Sequence, residues 1–387
     1  MRVHIYTLRF NPVFGGGSHH TLEIYIRALS ESGHTPILTT FFSGDNNYKH
    51  KPCEIREENF DGGFIALQRH IAHRMRENTD ADVHFLYSSY ILWAGGMYKY
   101  KGGTTPVVAS INNYTPGMRL HGTTPPSDGS VRNLLIRVRN RVHIAKLYLW
   151  EKLVGIQFVR KIDLLFFDSR LIQERYERFG YHAHSSDVVP APIDPIPDTQ
   201  LPSPFPDDKG VFRAVYAGRL TTDKGPDLLV KAAVKLPDAV HMHIIGSGNE
   251  EKPLRDFIQN HGLEKRVFLH GWKDREELYN FYRHSHVFIH PCRWPEPFGR
   301  VVAEALMCGL PVIATENSGP SWAAGDAGLT FRKNDVEGLV ERILFFFNAP
   351  NERAAYSKKA LVRARVFDSE VVSRQFLTDI ESLVKSR

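Results

Sequence analysis

The sequence predicts an α/β protein built as two doubly wound domains, each a parallel sheet flanked by helices. Three observations lead there. Short runs rich in β-branched and aromatic residues alternate with helical patterns from one end of the 387-residue chain to the other, the arrangement of a parallel sheet with crossover helices. These runs fall into two sets, separated by "VVPAPIDPIPDTQLPSPFPDDKG" at 188–210, whose seven prolines cannot sit inside a helix or a central strand. A 42% hydrophobic content over this length supplies ordinary buried cores.

In chain order, the strands of the first set are "RVHIYTL", "TPILTTFF", "VHFLYS", "PVVASI" and "IDLLFFDS". Those of the second are "FRAVYAG", "HMHIIG", "RVFLHG", "HVFIHP" and "PVIAT". After the last of them, "DVEGLVERILFFFNA", "NERAAYSKKALVRARVF" and "SEVVSRQFLTDIESLVKS" read as helices. The expected division is a first domain at 1–190, completed by the C-terminal helix 369–387, a Pro-rich linker at 191–210, and a second domain at 211–368. A ligand is expected in the cleft outside the carboxyl ends of the strands.

No run of eighteen apolar residues is present, and "MRVHIYTLRFNP" has neither the apolar core nor the cleavage site of a signal peptide. The expectation is a cytoplasmic protein. Cys53, Cys292 and Cys308 are odd in number, far apart and in no CxxC pattern, against a disulfide framework or zinc knuckle and in favour of buried thiols. The formal charge of +6 favours anionic partners. Between 132 and 161 the cations Arg132, Arg137, Arg139, Arg141, Lys146, Lys152, Arg160 and Lys161 face the single acid Glu151, interleaved with leucines and isoleucines. That is a basic amphipathic helix: a solvated outer face, or a peripheral contact with the inner face of a membrane. Single-stranded nucleic acid would want more stacking aromatics than Tyr148, Trp150 and Phe158, so nucleic acid is not an expected partner.

Three places can carry chemistry. "FNPVFGGGSHHTLEIYIRALSESGH" follows the first strand and opens a helix. Gly16 and Gly17 allow a backbone to approach a phosphate, or form a plain turn; the GxGxxG spacing of a nicotinamide site is missing. "YAGRLTTDKGPDLL" puts Arg219 at a strand end and Lys224 next to a helix start, two cations for one diphosphate or two surface cations near a turn. In "HPCRWPEPFGRVVAEALMCG" Glu296 lies in the loop beyond a strand and Glu304 inside the following helix, with the amides of Gly299, Arg300 and Val301 at its start. Carboxylates so placed can accept hydrogen bonds from the vicinal hydroxyls of a sugar or ribose.

On "FGGGSHHTLEIYIRALSESGH", "YAGRLTTDKGPDLL", "GSGNEEKPLRDFI", "VFLHGWKDREELYNFY" and "EPFGRVVAEALMCGLPVIAT", in that order, the chain resembles the retaining GT-B glycosyltransferases of family 4, with their Glu-x7-Glu pattern. The resemblance implies two Rossmann-like domains, the first for the acceptor and the second for a nucleotide sugar. It implies that Arg219 and Lys224 hold the donor diphosphate and that Glu304 takes the ribose hydroxyls. Glu296 would contact the donor sugar, Phe298 and Gly299 would offer backbone amides, and Gly271 and Trp272 would meet the base. The implied activity is transfer of a hexose, UDP-glucose or a similar UDP-hexose being the expected donor, on one face of the sugar and without a metal. The cationic cradle then carries the departing diphosphate's charge. Asp80 and Asp82 form an Asp-x-Asp, but before a strand, at the sheet end away from the site, so no metal is expected there.

The chain also departs from the family's pattern. Asn112 stands where relatives have a histidine near the donor sugar; it can donate a hydrogen bond but cannot shuttle a proton. His19 and His20 replace an acid of the glycine-rich loop, facing a phosphate or the acceptor, or solvent. His121 lies in the loop 112–130, rich in Gly, Pro, Ser and Thr and expected to be mobile. Ser318, Gly319, Pro320 and Ser321 stand in place of Gly-Gly-x-Pro-Glu, without the glutamate. These differences keep two alternatives open: a nucleotide-sugar-binding protein with little turnover, and a basic membrane-surface adaptor. The acceptor, whether a sugar, a lipid-linked or a small molecule, is not legible.

Overall fold

The computed structural model describes residues 1–11, 16–48, 50–115, 145, 148–197, 202–205 and 210–386. The chain forms two compact units, Met1–Pro192 with Ser369–Arg387, and Ile193–Asp368. In the first, β1 (Arg2–Thr7), β2 (Thr35–Thr40), β3 (Glu54–Glu57), β4 (Val83–Tyr87), β5 (Val107–Ile111), β6 (Leu164–Phe167) and β7 (Ser185–Val188) form a sheet in the order β3-β2-β1-β4-β5-β6-β7. All of its pairs are parallel. Helices α1 (Gly17–Glu31), α2 (Phe64–Glu77), α3 (Leu92–Tyr100), α4 (Ile156–Val159) and α5 (Arg170–Phe179) belong to this unit. So does the final helix, Ser369–Lys385, whose Phe376 ring stacks on Tyr25 at 4.2 Å. Central strands such as β4 are buried along their whole length, as layers on both faces require.

The second unit repeats the design. Its strands β8 (Phe212–Ala217), β9 (Val240–Ile245), β10 (Val267–Leu269), β11 (Val287–His290), β12 (Val312–Thr315) and β13 (Gly328–Phe331) lie in the order β10-β9-β8-β11-β12-β13. They are joined through α6 (Pro226–Ala233), α7 (Glu251–Asn260), α8 (Arg275–Arg283), α9 (Arg300–Met307) and α10 (Gly319–Ala324), and followed by α11 (Val336–Asn348) and α12 (Pro350–Ala364). In each sheet the strand order reverses beside the first strand, at β1/β4 and at β8/β11, which are the switch points where such sheets bind ligands.

Several expectations need correction. The Pro-rich stretch is not a free linker over its described part. Ile193 donates to the Phe367 carbonyl at 2.7 Å, Asn280 Nδ2 to the Pro202 carbonyl at 2.9 Å, and Arg283 to the Pro197 carbonyl. Phe205 is buried against the His243 ring at 4.3 Å. An extended proline-rich backbone forms no internal ladder, so its carbonyls are open to capture by α8. Strands β3, β7 and β13 were missed because "EIRE", "SSDV" and "GLTF" are short, polar or glycine-led. Cys292 is buried, but Cys53 and Cys308 are only half-buried.

The loop 112–130 expected to be mobile lies outside the described residues beyond Thr115, as do His121 and most of the proposed basic helix. Its described part, from Tyr148, is helical and contains a π-helical turn at Glu151–Gly155. Glu151 points inward: it is 1% exposed and accepts hydrogen bonds from the Tyr181 hydroxyl at 2.6 Å and from Thr115. Lys152 also turns in, to the Phe179 carbonyl. Asp80 pairs with Arg2 at 2.9 Å and Asp82 accepts from the Arg2 amide at 2.7 Å, at the amino ends of β1 and β4.

Candidate active site

The loops that leave β8 and β11, neighbours at the switch point, are sewn together. The Asp223 carbonyl accepts from the amides of Arg293 at 2.8 Å and Trp294 at 3.1 Å, and from the Cys292 thiol at 3.3 Å. Arg293 forks onto Asp227 at 2.5 and 2.8 Å and reaches the Thr222 carbonyl at 2.9 Å. Gly225 starts α6 with φ +70°, and a Cβ on it would lie 2.2 Å from the Pro291 carbonyl oxygen, so only glycine lets the two loops approach this closely. Sequence reasoning missed Arg293. Its signal was an arginine beside a loop acid expected to need positioning.

This seam brings Lys224 and Glu296 together, with 2.7 Å between Nζ and Oε2; their side chains are 15% and 20% exposed. The His290 ring nitrogen is 3.3 Å from the same oxygen. Burial pushes the Glu296 carboxyl up, but the Lys224 ammonium and His290 outweigh it and hold the group well below the usual carboxylate range. Burial lowers the Lys224 ammonium, and Glu296 more than restores it. Arg219 is more open, 71% exposed and 3.8 Å from Asp223, and its charge is felt at Lys224. The Tyr216 hydroxyl supports its backbone, donating to the Arg219 carbonyl at 2.9 Å.

Beyond Glu296, Gly299 caps α9 with φ +90° and no side chain capping the amides behind it. Phe298 is buried and packs on Phe367 at 5.3 Å, so only its backbone is available to a ligand. Glu304 is 6% exposed and takes a hydrogen bond from Arg300 Nε at 3.1 Å; Val301 is half-buried beside them. Glu296 and Glu304 therefore have different cations, Lys224 and Arg300, and no hydrogen bond or ion pair joins them among the described residues. Ser318 and Ser321 have a local role: they form a reciprocal capping box at the start of α10. Gly271 has φ +69°, and Trp272 next to it is 68% exposed.

His290, Cys292 and Glu296 place three ligand-type atoms within 4.8 Å, a cluster sequence reasoning did not anticipate. Two of its three groups already have partners in this structure. Burial, then Glu296, pushes the thiol up to about 12, keeping it protonated on the Asp223 carbonyl, and Lys224 already neutralises Glu296.

In the first unit Asn112 directly follows β5, and Gly16 and Gly17 open α1, the helix after β1. Gly16 caps α1 with φ +77°, no side chain caps the helix, and Gly17 is its exposed first residue. His19 and His20 are not loop residues; both belong to the first turn of α1. His19 Nδ1 accepts from the Asn11 amide at 3.1 Å, and the buried His20 is 3.1 Å from Glu23. Burial lowers the His19 ring's pKa, which favours its neutral form.

Asp168, at the end of β6 next to Asn112, was missed by sequence reasoning. Burial pushes its carboxyl up to about 8, and no described side chain pairs with it. The unfolded chain releases this proton near 3.8 and the folded chain near 8, so stability falls as pH rises across that window. Asp168→Asn is expected to gain thermal stability over wild type progressively between about pH 4 and pH 8. Calorimetric melting across that range checks it, and a pH-independent difference would count against it.

Residues 199–363 match the family model described as glycosyl transferases group 1. A D-inositol 3-phosphate glycosyltransferase of Pseudarthrobacter chlorophenolicus is 32% identical over 167 residues, 41% of this chain and 40% of that protein. The match thus spans under half the length of that curated relative. Sucrose-phosphate synthase from Thermosynechococcus elongatus superposes with a TM-score of 0.75 at 18% identity over 100% of both chains. HepE of Anabaena, solved in complex with UDP and glucose, superposes with a TM-score of 0.70 at 20% identity over 99% of this chain and 100% of its own. The chain has the two Rossmann-like α/β domains of the GT-B glycosyltransferases.

Proposed function

We propose that the chain is a glycosyltransferase that moves a hexose, from UDP-glucose or a similar UDP-hexose, to an acceptor hydroxyl with retention of configuration and without a metal. The carrying observation is the Lys224–Glu296 pair at the β8/β11 switch point. The match to the group 1 model and the names of the relatives support the same reading.

In the unliganded chain the ammonium and the carboxylate neutralise each other. A bound donor separates their tasks: its diphosphate takes Lys224, Arg219 and the amides at the start of α9, and its sugar hydroxyls take Glu296. Arg300 holds Glu304 ready for the ribose hydroxyls, and Trp272 offers an exposed ring to the base. As the glycosidic bond breaks, negative charge grows on the diphosphate, so fixed cations stabilise the transition state more than the ground state. The departing phosphate oxygen takes the acceptor's proton, so that no side chain has to accept it.

Incubation with UDP-hexoses in the presence of a chelator is expected to release UDP slowly by hydrolysis. Lys224→Ala and Glu304→Ala that hydrolyse as fast as wild type would overturn the assignment, and activity abolished by the chelator would overturn its metal independence. Asn112 also motivates a second reading, a nucleotide-sugar binder with little turnover. Calorimetric binding of UDP-hexose with no product on any acceptor in an extract would favour it.

A further inference from the structure

The first unit carries an exposed surface, apolar and basic, that holds none of the candidate site residues. Along the helical stretch from Tyr148, the face turned away from the core holds Leu149 at 58% and Leu153 at 64% exposure, flanked by Tyr148 and Trp150 at 38% each. The opposite face holds Glu151, Gly155, Ile156 and Val159, all buried. Leu149 and Leu153, one turn apart, make a small continuous apolar patch on this face. Further along, Gln157, Arg160 and Lys161 are exposed and border a cleft of about 700 Å³ completed by Lys99, Tyr100 and His184. Tyr100, 71% exposed, leans edge-on toward Phe158 at 6.4 Å and extends the apolar belt to the rim of this cleft.

The charge of the cleft is one-sided. Asp163, the acid beside it, is held by Lys99 at 2.8 Å and by the Val107 amide at 2.8 Å. Arg160 and Lys161 have no ion pair among the described residues. His184, which also lines the cleft, has its Nδ1 3.0 Å from the Ile162 carbonyl. The cleft sits at the amino ends of β5, β6 and β7, opposite the edge that carries Asn112 and Asp168.

We propose that this face docks on an anionic phospholipid bilayer, Arg160, Lys161 and the cleft taking headgroup phosphates while Leu149, Leu153 and Tyr100 enter the interface. Bare aliphatic side chains next to uncompensated cations match a surface that is anionic outside and apolar beneath. A soluble phosphate ester would use the cations and leave the leucines unexplained. Membrane contact read from charge alone across 132–161 is thereby narrowed to named side chains, with Glu151 and Lys152 removed from the face.

The test is co-sedimentation of the whole chain at low salt with vesicles of phosphatidylcholine, with and without phosphatidylglycerol. Wild type is expected to pellet only with the anionic vesicles. R160E/K161E should weaken binding at least about thirtyfold, from the loss of two surface cations. L149S/L153S should weaken it too, while UDP release and melting temperature stay unchanged in both. Failure of wild type to pellet, or variants that pellet like wild type, would overturn the proposal. So would stabilisation by inorganic phosphate, lost in R160E/K161E, without vesicle binding; that result would assign the cleft to a soluble anion. None of these readings depends on what is transferred.

Discussion

Lys224→Met leaves Glu296 a charged group in a largely enclosed site with only His290 beside it, and is expected to cost both activity and stability. Catalysis should fall about 10²–10³-fold, the effect of removing one fixed group that stabilises transition-state charge. Stability should fall by about 3 kcal/mol near neutral pH, the low end for breaking one side of a buried pair, since both side chains keep some solvent contact. The sign with pH follows from the two shifts. Glu296's lowered value contributes stability above its unfolded value of 4.5, lost as pH falls through the folded one. Lys224's raised value contributes below 10.5, lost as pH rises through the folded one. The penalty should be full between these limits and shrink in acid, where Glu296 is protonated. Adding Glu296→Gln to Lys224→Met should recover stability but not catalysis. Equal melting temperatures for Lys224→Met and wild type at neutral pH would show that the pair is not formed.

Gly319→Ala is expected to disable the site from a position that touches no reacting group. Its Cβ would lie 2.1 Å from the Pro297 carbonyl oxygen and 2.3 Å from the Phe298 nitrogen, both backbone atoms. The Gly319 amide also donates to the Glu296 carbonyl at 2.8 Å, so α10 holds the Glu296–Gly299 loop directly. Moving that loop by about 1 Å should lower activity about 10²-fold, with a stability loss of about 1–3 kcal/mol from overpacking. Gly44→Ala is the control, because nothing lies within 4 Å of its Cβ. UDP release and melting temperature, measured on both variants, separate loop displacement from general sensitivity to an added methyl.

Legibility followed burial and locality. The central strands were readable because both of their faces are covered, leaving near-continuous apolar runs such as "VIAT" and "VFIH". Edge strands β3 and β7 were not, since an edge with one face toward solvent tolerates "EIRE" and "SSDV". Arg219, Lys224, Glu296 and Glu304 could be named as candidates because they lie in the loops and the helix that directly follow the strands β8 and β11. Their partners were not. Nothing local says that Glu304 pairs with Arg300, that Arg293 ties the two loops, or that Glu151 turns inward within a run of cations.

By itself the sequence determined the alternation of strands and helices, the split into two α/β units and the order of the motif-bearing loops. These rest on side-chain periodicity and on the special backbones of glycine and proline, which act over a few residues. Only the tertiary structure decided which charges meet. Lys224 and Glu296 are 72 residues apart, and their contact exists because β8 and β11, not consecutive in the chain, lie side by side. It likewise decided that Leu149 and Leu153 face outward, since only packing determines which side of a helix the core takes.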